Sequence, residues 1–329
     1  MFKELSEVIK LIDSLELMPE EVQSLVKSEV LTTVNYQNSD YPIHAFIIGS
    51  TDLSKPTLGL FAGVHGLERV GTQVLLGFLK SFITQLEWDE NLRSSLKDFR
   101  IVAIPIINPV GMKFLKRANG NGVDLMRNSP IEAQSGQRFK LYRGHRISPW
   151  LPWYRGESGK LEHEAQTLIN FVKKEMLNST VSMSLDFHSG FGLRDRLWFP
   201  YAKSTEKFHF ESEVESLVNL YEKTHPHHIY KIEQQSDSYT THGDLWDYLF
   251  FESRNLHPEN LFIPWTLEMG SWSWLKKNPL QLFSKEGIFN PVIEHRYQRT
   301  MRRHYILIHF ITRLMQNPKA WTKNIAISE

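Results

Sequence analysis

The run Ile101–Ile107, IVAIPII, constrains the fold more than any other stretch, because it is apolar on both of the faces that a strand presents. Such a strand needs cover above and below, which is the pattern of a parallel sheet held between layers of helices. Leu58–Val64 (LGLFAGV) repeats it, and the residues that follow change period: apolar side chains fall at 70, 74, 75, 78, 79 and 82, one face of a helix over Val70–Phe82. Leu161–Met176 is a second amphipathic helix, Val181–Phe187 and Leu261–Leu267 are further strands, and Tyr41–Gly49 is another. Pro264 inside Leu261–Leu267 argues for an irregular or edge position, since proline cannot donate to the ladder. A last helix is expected from about Arg296 to Met315, and one or two amphipathic helices over residues 3–30, with Pro19 at a helix start. Strands alternating with helices predict a single α/β/α domain with a mixed, largely parallel sheet flanked by helices. Residues 1–40 are expected to form a helical extension packed on a domain spanning 41–329.

Composition narrows the class. With Lys+Arg 38 against Asp+Glu 37, the net charge of +1 lacks the basic excess that nucleic-acid partners require. No segment has the apolar length to span a bilayer, so no membrane partner is expected. The N-terminal stretch carries acidic residues where a secretory leader has a basic start and an apolar block. Cysteine is absent, which removes disulfides and thiolate metal ligands. The expectation is a cytoplasmic protein.

Polar residues then gather where chemistry is built in such folds. His65 follows one strand, Asn108 a second, His188 a third and Glu268 a fourth, and ligands of open α/β sheets bind at the carboxyl ends of strands. His65-Gly-Leu-Glu68 and Asp186-Phe-His188 together offer two imidazoles and a carboxylate, the set a catalytic zinc takes when one position stays open. A metal so held polarises a carbonyl and generates a nucleophile near neutral pH, which points to hydrolysis. Singly these residues are ambiguous. A lone His-x-x-Glu is common, a lone buried histidine is most often a hydrogen-bonded structural one, and Glu268 could cap or pair with an arginine. The His225-Pro-His-His228 cluster reads as a solvated loop, with a second metal site as the alternative, and the tryptophans at 265, 272 and 274 as core or cleft wall. Arg194-Asp-Arg196 reads as a charged turn or a source of anion contacts.

The ordered set from Tyr41 to Trp272 resembles the zinc carboxypeptidases of the M14 class and, more loosely, their deacylase relatives of the succinylglutamate desuccinylase and aspartoacylase type. The motifs that carry it are His65-Gly-Leu-Glu68, Ile104-Pro-Ile-Ile-Asn-Pro-Val-Gly111, Lys116 to Asn128, Glu162-His-Glu-Ala-Gln166, His188-Ser-Gly-Phe with Pro200-Tyr201, and Thr266-Leu-Glu268. The resemblance implies that residues 41–329 are the catalytic domain and that His65, Glu68 and His188 hold one zinc ion. It implies Asp124 behind His65, although Gly-Val-Asp alone reads as a turn. Glu268 would be the general base and Arg117 the oxyanion's partner, with Lys116 as an alternative and a solvated basic pair as the plain reading. Tyr239 would close over substrate, with Tyr248 as its rival. Arg127, with Asn128 beside it, would grip the substrate's terminal carboxylate.

One position departs from the pattern. The family places asparagine before that arginine, and here Met126 stands there, with Ser129-Pro130 in place of the usual following aromatic. A thioether cannot donate to a carboxylate, and a lost hydrogen bond to a charged group costs about 1.5–3 kcal/mol. The expected activity is zinc-dependent amide hydrolysis on a small peptide, carboxypeptidase-like. The alternative is a zinc amidohydrolase acting on an acylated amino acid or a cell-wall peptide. A non-catalytic binding relative is the third reading, opposed by the presence of all three ligands and Glu268.

Overall fold

The computed structural model describes residues 1–134, 141–284 and 287–322. Its strands are β1 (Val26–Tyr36), β2 (Ser39–Gly49), β3 (Thr57–Ala62), β4 (Arg100–Ile104), β5 (Val181–Ser189), β6 (Arg196–Phe199), β7 (Lys231–Gln234) and β8 (Leu261–Met269). They form one sheet in the order β1-β2-β4-β3-β5-β8-β6-β7. The central four, β4-β3-β5-β8, are parallel, while β1 and β2 on one side and β6 against β8 on the other run antiparallel. The mixed, largely parallel sheet expected from the apolar runs is therefore present.

Six helices of twelve or more residues cover it among the described residues: α1 (Lys3–Leu15), α2 (Arg69–Gln85), α3 (His163–Glu175), α4 (Glu211–Thr224), α5 (Leu245–Leu256) and α6 (Glu294–Gln316). Side chains of α1, α2, α4 and α6 share one buried cluster with Leu58, Leu60, Ile101, Ile263 and Trp265. Those of α3 and the start of α5 share the other with Phe61, Val102, Ile104 and Phe262. Neighbouring residues of one strand thus feed opposite layers, which is why these runs had to be apolar throughout.

The helical reading of residues 3–30 is corrected beyond residue 25. α1 forms as expected, but Val26–Tyr36 is a strand, paired antiparallel with β2 from Val26↔Ile48 to Tyr36↔Ser39. The hairpin closes through Gln37 and Asn38, both left-handed (φ 50° and 57°), the conformation of a two-residue turn. An extension of helices ending at residue 40 is therefore not what forms: this hairpin joins the segment to the main sheet. β1 lies at the sheet's edge with one of its eleven residues buried, so its Glu, Lys and Asn weaken the alternation that would betray a strand. Pro264 is also accounted for. β8 is interior, but β6 pairs with it only at Thr266–Glu268, so Pro264 has β5 on one side and a local edge on the other.

Candidate active site

β3, β5 and β8 end together, and their carboxyl ends carry the chemistry. After β3 the chain turns at Gly63 (φ +70°) into Val64–Glu68, and α2 begins at Arg69. Gly66 sits so close to the next loop that a Cβ there would lie 2.0 Å from the backbone nitrogen of Met112. Asn108 ties the same two loops, accepting from Gly111 N–H (2.8 Å) and donating to the Val64 carbonyl (3.2 Å). It braces the site from behind. His188 on β5 and Glu268 on β8 are register partners on adjacent parallel strands, so the ladder itself sets their spacing.

His65, Glu68 and His188 are all buried, and their donor atoms lie within 4.8 Å of one another, the sole such group among the described residues. His65 Nδ1 is 2.9 Å from Glu68 Oε1, and His188 Nδ1 is 3.2 Å from both Glu68 Oε2 and His65 Nδ1. The outer nitrogens are held by carboxylates: His65 Nε2 lies 3.0 Å from Asp124 Oδ1 and His188 Nε2 2.8 Å from Asp186 Oδ2. Carboxylates accept, so the ring hydrogens sit on the outer nitrogens and both Nδ1 lone pairs face inward, beside a third donor that is anionic. Three electron-pair donors turned toward one another need a cation among them. The charges agree: burial opposes a charge on His188, yet Asp186 and Glu68 outweigh it and push the imidazole well above its ordinary value. Burial likewise opposes ionisation of Glu68, but His65 and His188 hold it well below the usual carboxylate range. Nitrogen and oxygen donors with the outer imidazole faces hydrogen-bonded to acids are what zinc takes, so the residues present fit that ion.

Around this trio the implied partners converge. Arg117 donates from Nε to Asp124 Oδ2 (2.9 Å) and from Nη1 to Glu68 Oε1 (3.1 Å). Asp124, opposed by burial but flanked by Arg117 and Arg127, is held well below its usual range. Glu268 accepts from Phe191 N–H at 2.9 Å. Burial pushes its carboxyl up to about 8, with the charge of Glu68 adding to the effect. All of these except Asp124 line one cleft of about 810 Å³, together with Met126, Arg127, Tyr239, Asp244, Thr266 and several aromatics.

The remaining expected residues divide. Tyr239 lines the cleft, with its ring 5.7–6.0 Å from those of Phe191, Trp198 and Tyr142. Its rival Tyr248 lies instead against the second core cluster. Asn128 is corrected: it is buried away from the cleft and spends its side chain on the Arg155 and Lys160 carbonyls and on Glu162 N–H. Arg127 reaches the cleft, but three of its five N–H groups are engaged, one with Asp124 and two with the Tyr142 carbonyl. Arg196 and Asp195 brace the wall rather than enter it: Arg196 donates to Glu233 and sits over the Phe191 ring, and Asp195 accepts from Gly270 N–H. Tyr201 follows a cis peptide bond and stacks on Phe251 in the core. His225 and His228 pack around Tyr221. Trp265 and Trp274 are core, while Trp272 is half-exposed on the cleft wall.

Asp186 and Trp246 complete the support of His188, and neither had been given a role from sequence. Trp246 Nε1 donates to Asp186 Oδ2 at 2.9 Å, onto the oxygen that already takes His188. The Asp-x-His spacing on a strand, which turns both side chains to one face, was the available signal for Asp186. Trp246, at the start of α5, gave none. Losing such an outer partner typically lowers metal affinity 10–100-fold. Trp246→Phe is therefore expected to weaken zinc binding by about tenfold while leaving the fold intact, as measured by competition with a chromophoric chelator. Unchanged affinity would remove Trp246 from the site.

The model of the zinc carboxypeptidase family matches residues 23–270. The chain belongs to the zinc carboxypeptidase family. Metallocarboxypeptidase A of Trichophyton rubrum is 27% identical over 150 residues, covering 41% of this chain and 34% of the relative. The probable metallocarboxypeptidase A of Arthroderma benhamiae matches to the same extent. The chain thus matches about a third of the length of these curated relatives (34%). Among solved structures, bovine thrombin-activatable fibrinolysis inhibitor in complex with tick carboxypeptidase inhibitor superposes with TM-score 0.65 at 18% identity, over 93% of this chain and 95% of that one. Carboxypeptidase A of Helicoverpa armigera gives TM-score 0.67 at 16% identity, over 92% and 71%. At such identities these two establish the zinc carboxypeptidase fold.

Proposed function

We propose that this chain is a zinc metallocarboxypeptidase, hydrolysing the amide bond that joins a C-terminal residue to a small peptide. The observation that carries the reading is the register of His188 against Glu268, which sets a buried, proton-hungry carboxylate beside the metal trio in one cleft. A zinc ion in this donor set supplies Lewis-acid polarisation of the carbonyl and a nucleophile at neutral pH.

The chain's own groups account for the rest. Glu268 takes a proton from the attacking water and returns it to the departing amine. With Oε1 held by Phe191 N–H, its second oxygen is free for that exchange. Arg117 keeps the N–H groups not spent on Asp124 and Glu68 for the charge that grows on the attacked carbonyl oxygen. A preorganised donor at such a place supplies about 3–4 kcal/mol. Arg127 has two N–H groups left for an anionic terminus. Tyr239 covers the substrate from the aromatic wall.

A second reading is favoured by Met126, which lines the cleft without a donor, and by the engagement of Arg127. On that reading the enzyme is an amidohydrolase of acylated amino acids or cell-wall peptides. Zinc-loaded protein assayed on N-blocked dipeptides and on N-acetyl amino acids separates the two. Faster turnover of the dipeptides is expected. Turnover of the N-acetyl amino acids alone would replace the carboxypeptidase reading with the deacylase one.

A further inference from the structure

Glu68 stands where two demands meet. It is the N-cap residue of α2, a position whose side chain ordinarily accepts from one of the helix's first N–H groups, yet it makes no such bond. Its Oε1 lies beside His65 Nδ1 (2.9 Å) and Arg117 Nη1 (3.1 Å), and Oε2 accepts from Ser189 N–H (2.9 Å). A carboxylate committed to the metal trio cannot also cap the helix. The first N–H groups of a buried helix end still need acceptors.

The cap comes from 220 residues away. Asn290, more than nine-tenths buried, accepts from Val70 N–H through Oδ1 (2.9 Å) and donates from Nδ2 to the Leu67 carbonyl (2.9 Å). One amide thus spans the backbone on both sides of Glu68. The preceding residue, Phe289, accepts from the Ser189 hydroxyl at 2.8 Å, so two consecutive residues hold the chain beside Glu68 and beside His188. Gln281 anchors them, donating to the carbonyls of Gly287 (2.9 Å) and Asn290 (3.3 Å). A second tether starts from α1: Arg69 donates from Nε and Nη2 to the two oxygens of buried Glu4, at 2.8 and 2.6 Å. Glu4 and Asn290 both lie outside residues 23–270, the part that matches the family model.

We propose that Asn290 is a positioning residue for zinc binding: it caps α2 in place of Glu68 and so keeps that carboxylate turned toward the metal. Without the amide, the buried Val70 N–H loses its acceptor, and the N-cap carboxylate is the group placed by position to supply one. Glu68 is then divided between helix and metal, and affinity for the ion falls. The inference rests on the metal trio and holds whichever amide bond is cut.

The test measures zinc affinity by competition with a chromophoric chelator, alongside melting of the metal-free protein. Asn290→Ala should bind zinc about 10–100-fold more weakly than the parent, the range for loss of a partner behind a metal ligand. Asn290→Ser is the safer fold, since its hydroxyl keeps a polar group in the gap. That hydroxyl is too short to bridge Val70 and Leu67, so the same fall is expected. Leu79→Ala is the control, because it opens a cavity on the buried face of α2 and lowers stability without touching the loop. It should melt below the parent and bind zinc as tightly. Parental zinc affinity in a folded Asn290 variant overturns the proposal. So does an equal loss in Leu79→Ala, which would make the effect one of stability alone. A parent that binds no zinc sinks the metal trio and this inference with it. A parent that binds zinc but cleaves no dipeptide sinks the peptidase reading and leaves the role of Asn290 standing.

Discussion

Glu268→Gln is expected to retain one zinc per chain and to lose activity by a factor of about 10²–10⁴, the usual contribution of a positioned general base. Glutamine keeps the shape, and its carbonyl oxygen can still accept from Phe191 N–H, so the cleft should not rearrange. What disappears is the ability to take a proton. The pH profile supplies an independent reading. Glu268 must be ionised to act, so activity should rise with pH through its pKa. In the protein alone, burial, aided by the charge of Glu68, pushes that group up to about 8, while a bound dication draws it down. The rising limb of kcat/KM should therefore lie above the ordinary carboxylate range and below about 8, and should be missing from the residual activity of the glutamine variant. A variant with near wild-type kcat, or one whose rising limb is unmoved, would take the base away from Glu268.

His188→Ala is the second large effect, and it acts on the metal rather than on the proton. The substitution removes one of three donors and leaves Asp186 and Glu68 buried without the imidazole between them. Loss of an outer partner costs 10–100-fold in metal affinity, so loss of a donor should exceed about 100-fold. After dialysis, elemental analysis should find well under one zinc per chain, against full occupancy in Glu268→Gln. The metal-free variant should also melt below the metal-free parent, because unpaired buried charge costs about 3–5 kcal/mol. Full zinc content in a folded His188→Ala protein would exclude this residue from the ligand set.

Much of this was legible in advance, and the part that was not has physical reasons. Runs such as Ile101–Ile107 and Leu261–Leu267 declared themselves because both faces of an interior strand are buried, so composition alone marks them. β1 could not, since an edge strand half in water needs no such pattern. β6 and β7 are four residues each, too short to show a period. The metal trio was readable because each of its residues closes a strand or follows one, where a change from apolar to polar stands out. Asn128 misled because its type suits a ligand contact, while its true bonds go to the backbone of a loop distant in sequence. Trp246 was silent for a related reason: an indole at the start of an amphipathic helix looks like core until the acid it meets is known.

The pairing of His188 with Glu268 makes the backbone ladder a ruler. Adjacent strands in a sheet lie about 4.8 Å apart whatever their side chains, so the distance between metal ligand and base is inherited from the hydrogen bonds of β5 and β8. The walls of the cleft, by contrast, come largely from loops and helix ends, among them Tyr142, Phe191, Tyr239 and Asp244. Reaction and selectivity are thereby carried by separable parts of the chain. Loops could be exchanged to change what is cut without recalibrating the machinery that cuts it.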